Sequence, residues 1–197
     1  YVDAQSRSSR SDIDINAPIF VLAGGSLVLE DMELDVWNDD GDSGITVEEG
    51  GLLSMSNVYV DEIDIIDVAG TFWASLSVFD ETYVYLGPTA EAEIRTSVFD
   101  ESRLVVDGCA PVIADNLFDG QYNWDVIAIT IVNGAAPSIV SNVIIDYDIG
   151  IYANGMDMGG IYDNLIMSNN RAGLLVESCT GTIHDNIILE NEVAILL

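Results

Sequence analysis

The word SVFDE stands at Ser77–Glu81 and again at Ser97–Glu101, twenty residues apart. Recurrence at that distance constrains the fold more than any other feature, because periods of about twenty to fifty residues belong to stacked-repeat architectures whose single units cannot bury an apolar face alone. Extending the register from the two copies finds a small polar anchor ahead of an apolar pair at Asp31, Asn57, Ser77, Ser97, Asn116, Asn142, Asn164 and Asn186. The steps between anchors are 26, 20, 20, 19, 26, 22 and 22 residues. The position after the anchor is apolar in every unit: Met32, Val58, Val78, Val98, Leu117, Val143, Leu165, Ile187. The next column reads Glu33, Tyr59, Phe79, Phe99, Phe118, Ile144, Ile166, Ile188, and only Glu33 interrupts it.

Most units carry a second short run, such as Gly44-Ile45-Thr46-Val47, Tyr83-Val84-Tyr85-Leu86, Leu104-Val105-Val106 and Gly173-Leu174-Leu175-Val176. Short β-branched runs bounded by Gly, Asn and Asp are strands, and no helical period persists. Strands this short are stabilised by pairing with their equivalents in the next coil, about 4.8 Å along an axis. The expectation is an all-β parallel solenoid of about eight coils over residues 23–197, with residues 1–22 an N-terminal arm or a partial first coil. The anchor has a physical reason as well: a side-chain amide both donates and accepts, so Asn stacked on Asn forms a ladder along the axis. Asn also tolerates the left-handed backbone of a sharp bend.

The stretch IYDNLIMSNNRAGLLVESCTGTIHDNIILENEVAILL resembles the right-handed parallel β-helix repeat family, which includes pectate-lyase-like proteins and the periplasmic copper-binding accessory proteins. The likeness is strongest over residues 110–197 and weaker, though in register, over 23–109. The resemblance implies a right-handed parallel β-helix and says little about function.

Charge bounds the partners. The chain has 34 Asp plus Glu against five Arg, no Lys, and a net charge of −29. Phosphate backbones are bound by Lys and Arg, so nucleic acid is excluded, and an anionic membrane surface is repelled. Self-repulsion of such a surface falls as salt shortens the screening length, which points to a saline environment; an ordinary acidic exoprotein is the alternative. No run of about 18 apolar residues exists for a membrane span. A chain opening at Tyr1 reads as processed or as part of something longer, and the expected location is extracellular or at the cell surface. Cys109 and Cys179 share a column three coils apart, about 14 Å, beyond disulfide reach, and are expected as free thiols.

Partners are expected through two features. Val143-Ile144-Ile145, Leu165-Ile166-Met167 and Ile187-Ile188-Leu189 are apolar three times running, so a second chain covers one side of the strip or the adjacent bend turns two neighbours inward. Solenoid ends expose unpaired backbone, which suggests self-association or a longer parent chain.

Candidate sites follow from the two 26-residue units. Trp37 in one excursion, and Tyr122 and Trp124 in the other, sit among carboxylates and amides, the mix that binds glycans; folding back as cover is the alternative. Asn38, Asp40 and Asp42 alternate like ligands of a calcium loop, but Ser43 replaces the expected Gly and the flanks read as strands, so an acidic turn is the competing reading. Asp163 and Asp185 lie one coil apart, about the separation of a retaining glycosidase pair, and a turn-capping role explains them equally. His184 and Met156-x-Met158 are too few for copper. Two functions stand: a non-enzymatic structural or adhesive solenoid of a surface protein or filament, or a carbohydrate-binding or polysaccharide-degrading β-helix. The second predicts a groove lined by acids, an Arg and aromatics.

Overall fold

The computed structural model describes residues 11–36, 44–61, 63–155 and 157–197, the side chains of Asn123 and Trp124 excepted. Every described element is a strand, and the strands follow one another around a coil in groups of three. The first coil holds β1 (Ser11–Ile15), β2 (Ile19–Val21) and β3 (Ser26–Glu30), the second β4 (Met32–Val36), β5 (Gly44–Val47) and β6 (Leu52–Ser56). The third holds β7 (Tyr59–Asp61), β8 (Ile65–Val68) and β9 (Thr71–Ser75), the fourth β10 (Val78–Asp80), β11 (Tyr83–Leu86) and β12 (Glu91–Arg95). The fifth holds β13 (Val98–Asp100), β14 (Arg103–Asp107) and β15 (Val112–Ala114). In the sixth and seventh the first two strands merge into β16 (Leu117–Val132) and β18 (Val143–Asn154), followed by β17 (Ser138–Val140) and β19 (Asp157–Tyr162). The eighth holds β20 (Leu165–Met167), β21 (Ala172–Glu177) and β22 (Thr180–His184), and β23 (Ile187–Leu189) and β24 (Val193–Leu196) follow.

Each strand pairs in parallel with its equivalent one coil on, so the molecule is a parallel β-solenoid with three long faces. Alternation sends every second side chain inward. On the first face the inward column runs through Phe79, Phe99 and Phe118, whose rings stack at 4.8 and 4.4 Å, and continues as Ile144 and Ile166. On the third face Met55, Ala74, Ile94, Ile113, Ile139 and Ile161 form an equivalent buried line.

The polar line beside the first face is a continuous hydrogen-bond ladder. The backbone N–H of Ser77 donates to Ser97 Oγ (3.2 Å), Ser97 to Asn116 Oδ1 (2.9 Å), Asn116 to Asn142 Oδ1 (2.9 Å), Asn142 to Asn164 Oδ1 (2.9 Å) and Asn164 to Asn186 Oδ1 (3.0 Å). Amide Nδ2 groups of Asn116, Asn142 and Asn164 also donate to the next Oδ1 at 3.0, 3.0 and 2.9 Å.

Two expectations need correction. Pairing of Tyr59 with both Glu33 and Val78 sets Asn57 over Leu76, so the ladder line continues from Ser77 to Val58 and Met32, not to Asn57 and Asp31. Met32 and Val58 carry no side-chain acceptor, and Asp31 and Asn57 belong one column earlier, where Asn57 Nδ2 donates to Asp31 Oδ1 at 2.7 Å. That earlier column also takes the left-handed bend: φ is 53° at Asp31, 55° at Asn57, 54° at Leu76, 59° at Asp115, 56° at Ser141, 56° at Asp163 and 55° at Asp185. The ladder Asn residues are not the left-handed ones. They stand one residue past the bend.

A second ladder braces the corner between the first and second faces. Thr82 N–H donates to Ser102 Oγ (2.7 Å), Tyr147 N–H to Asn169 Oδ1 (3.2 Å) and Asn169 N–H to Asn191 Oδ1 (2.9 Å). The sixth coil bulges out of this line between Asp119 and Ile127. The buried Tyr147 phenol spans the gap and donates to Ser102 O two coils away at 2.7 Å. Gly120 makes room for it, since a Cβ there would stand 2.8 Å from Tyr147 Cγ and 2.5 Å from Asp146 O.

Candidate functional site

The outer surface of the first face changes character along the axis. One outward column consists of Asp14, Asp35, Asp61, Asp80, Asp100 and Asp119 in register, then Ile145, Met167 and Leu189. Its neighbour runs Asp12, Glu33, Tyr59, Val78, Val98, Leu117, Val143, Leu165, Ile187. The first two coils are therefore acidic on both columns and the last three apolar on both. In the apolar runs only the central Ile144, Ile166 and Ile188 face inward, and their neighbours stay partly or fully exposed. The reading in which a bend turns two neighbours inward is thus overturned. A shallow depression of about 630 Å³ lies where the two sectors meet, lined by Val98, Asp115, Leu117, Asp119 and Ile145.

Crowding of the aspartates has an electrostatic consequence. The Asp100 carboxyl is raised above its ordinary 3.8, first by burial and then by Asp80 and Asp119, against a lowering hydrogen bond from Gln121 Nε2 at 2.6 Å. Tyr59, in the neighbouring column, donates its phenol proton to Asp80.

Around the corner, the two SVFDE copies lead into a groove. Glu81 and Glu101 (φ 45° and 46°) turn the chain, and the buried Thr82 and Ser102 fix the turn from inside. Tyr83 and Arg103, paired in register, then project outward, with the guanidinium 4.4 Å from the Tyr83 ring centroid. Asp64, Glu81, Glu101 and Val126 complete a hollow of about 350 Å³, and Asp125, Ile127 and Thr130 extend it by about 200 Å³. Burial pushes the Tyr83 phenol up, with Arg103 acting in the opposite direction. The Glu101 carboxyl is also raised, chiefly by burial and next by Glu81. Tyr85 beside it donates to Asp107 Oδ2 (2.5 Å), a bond that is the main reason its phenol is pushed up to about 12. This groove holds acids, an Arg and an aromatic, at residues other than those singled out from sequence.

Trp37, Asn38, Asp40 and Asp42 lie outside the described residues, as does the Trp124 side chain. Tyr122 is 70% exposed at φ 68°. Asp163 and Asp185 stand on adjacent coils at exposed left-handed corners, and Asp185 pairs with His184 Nδ1 at 2.9 Å. His184 stacks on Tyr162 at 5.1 Å. Cys109 is buried in the fifth coil with its thiol pushed up to about 11 by burial, and Cys179 is a free thiol in the eighth.

A family model described as periplasmic copper-binding protein (NosD) matches residues 81–197. No curated protein matches the chain. No solved structure matches it either. Among the described residues the donor set does not fit a copper site. The sequence holds a single His and two Cys, and the Cys lie three coils apart. Met158, Met55 and Met32 are buried in the core. Among the described residues no three His, Cys, Asp or Glu side chains gather where one ion could take them, which gives calcium no support either.

Proposed function

The chain belongs to the NosD family of periplasmic parallel β-helix proteins, and from that premise we propose that it is a non-enzymatic structural and adhesive module working outside the cytoplasm, which associates with a second copy of itself. One observation carries the reading: the axial change of the first face from Asp12, Asp14, Glu33 and Asp35 at one end to Val143, Ile145, Leu165, Met167, Ile187 and Leu189 at the other. Two copies that overlap only their apolar sectors, antiparallel about a twofold axis, bury the strip and send the two acidic sectors to opposite ends. Charge thereby selects the arrangement. Each copy carries −29, and any parallel alignment would lay carboxylate against carboxylate.

The overlap is short. Three coils span about 14 Å, less than the roughly 800 Å² per partner of a stable complex requires, so the contact is weak and reversible. Salt strengthens it by shortening the screening length from about 10 Å at 0.1 M to about 3 Å at 1 M, in keeping with a saline setting. Sedimentation velocity from 0.1 to 3 M NaCl tests this. Concentration-dependent dimers that grow with salt and vanish in Leu165→Asp/Met167→Asp are expected; a monomer at every salt and concentration would refute the reading.

A further inference from the structure

The third face, away from the proposed self-association strip, carries an exposed indole in an unusual setting. In β9 the neighbours Phe72 and Ala74 point inward and are buried, while Trp73 points outward and is 51% exposed. Register sets Ser54 on one side of it along the axis and Glu93 on the other, with Ser56, Ser75 and Arg95 forming the adjacent outward column. These six residues line a shallow depression of about 230 Å³.

We propose that this depression is a binding platform for a neutral saccharide, with the Trp73 indole as its floor. Ser54 and Ser56 are too short to cover the ring from their side, so that part of its surface stays open and the indole is half exposed. Indole offers a flat apolar face of matching size to the C–H face of a pyranose, and a few placed polar groups then fix orientation. Those groups surround it: hydroxyls on Ser54, Ser56 and Ser75, a carboxylate acceptor on Glu93, and guanidinium donors on Arg95. The Arg95 side chain is already held, because its Nε donates to Glu93 and its Nη1 lies 3.9 Å from Asp115.

Charge selects the ligand class. Glu93 and Arg95 cancel each other, so the platform itself is close to neutral on a molecule of net charge −29. Acidic saccharides are repelled by the surrounding field, and nothing in the lining draws a cation in particular. Neutral hydroxylated chains meet neither penalty.

The test titrates the full chain in 1 M NaCl with cellohexaose, xylohexaose, mannohexaose and laminarihexaose, and with hexagalacturonate as the acidic comparison. Tryptophan fluorescence in a Trp37→Phe/Trp124→Phe background and calorimetry on the unmodified chain give the readouts. At least one neutral hexasaccharide is expected to shift Trp73 emission and bind. Trp73→Ala should weaken it by about tenfold or more, the equivalent of about 1.4 kcal/mol, with Trp73→Phe between the two. Unchanged far-UV circular dichroism in both variants excludes unfolding as the cause. Binding should persist in Leu165→Asp/Met167→Asp, which separates this platform from self-association. No binding by any neutral hexasaccharide, binding indifferent to Trp73→Ala, binding abolished only by Arg103→Ala in the corner groove, or a preference for hexagalacturonate would each overturn the proposal.

Discussion

Asn142 is the position at which the ladder can be tested most sharply. Its side chain is buried, and Oδ1 accepts from Asn116 N–H (2.9 Å) and Asn116 Nδ2 (3.0 Å). Its Nδ2 donates to Ile113 O (2.9 Å), Val140 O (3.0 Å) and Asn164 Oδ1 (3.0 Å). Asn142→Ala removes all five bonds but does not orphan every partner: Asn116 Nδ2 keeps Ile94 O, and Asn164 Oδ1 keeps the Asn142 N–H. The Asn116 N–H is left facing a cavity, at about 1–3 kcal/mol for an unsatisfied buried donor, and the lost carbonyl bonds add about 1 kcal/mol. A total near 3 kcal/mol is expected.

Asn142→Asp keeps the shape and reverses one donor. At neutral pH a carboxylate oxygen then faces Ile113 O, Val140 O and Asn164 Oδ1, three acceptors in place of three hydrogen-bond partners. Its folded pKa must rise above the unfolded value, so the stability deficit is largest at neutral pH and shrinks as the pH falls and the group protonates. Urea unfolding in 1 M NaCl, followed by tryptophan fluorescence at pH 7 and pH 5, gives both numbers. The Asp variant should be less stable than the Ala variant at pH 7 and close much of the gap at pH 5. An Asp variant equal to the unmodified chain at pH 7 would refute the ladder argument.

Three further outcomes follow from the same geometry. Asp100, Glu101 and Asp146 all carry raised folded-state carboxyls, so the folded state holds more protons just above the ordinary 3.8 and 4.5, and the urea midpoint should rise modestly from pH 7 to pH 5; a steady fall would contradict this. Gly120→Ala drives a methyl against Asp146 O and Tyr147 Cγ, and calorimetric unfolding should show a loss of about 1–3 kcal/mol, whereas Gly24→Ala, with open space at its Cβ, should lose only the cost of its φ of 77°. Stability to urea should climb continuously between 0.1 and 2 M NaCl as the −29 charge is screened, and a flat response would remove self-repulsion from the account.

The solenoid was legible because its columns repeat from coil to coil: the inward Phe79, Phe99 and Phe118 and the outward Val78, Val98 and Leu117 share the same spacings of 20 and 19 residues. Register slipped at Asp31 and Asn57 for a definite reason. Where the ladder position is Met32 or Val58, the nearest polar residue is the bend residue one step earlier, and a search for polar anchors takes it instead. Assigning the left-handed bend to Asn failed similarly, since Asp115-Asn116, Ser141-Asn142, Asp163-Asn164 and Asp185-Asn186 each offer two candidates side by side. The corner ladder through Thr82, Ser102, Tyr147, Asn169 and Asn191 was hidden by the bulge in the sixth coil, which breaks its spacing.

Surface chemistry was less visible than the core, because its residues meet only across coils of unequal length. Tyr83 and Arg103 were findable: each lies six residues past the Ser of its SVFDE copy, so the repeat itself pairs them. Trp73 was harder, for its partners Ser54 and Glu93 come from steps of 19 and 20 residues that only the true register reconciles.

Stacking in register is the claim on which everything else rests, and spin-label distances along one outward column measure it. In a Cys109→Ser/Cys179→Ser background, a label at Val78 is paired in turn with one at Val143, Leu165 or Ile187, which lie three, four and five coils away. Double electron–electron resonance should give separations growing by about 4.8 Å per coil, near 14, 19 and 24 Å. Distances that fail to lengthen in that order would contradict the account.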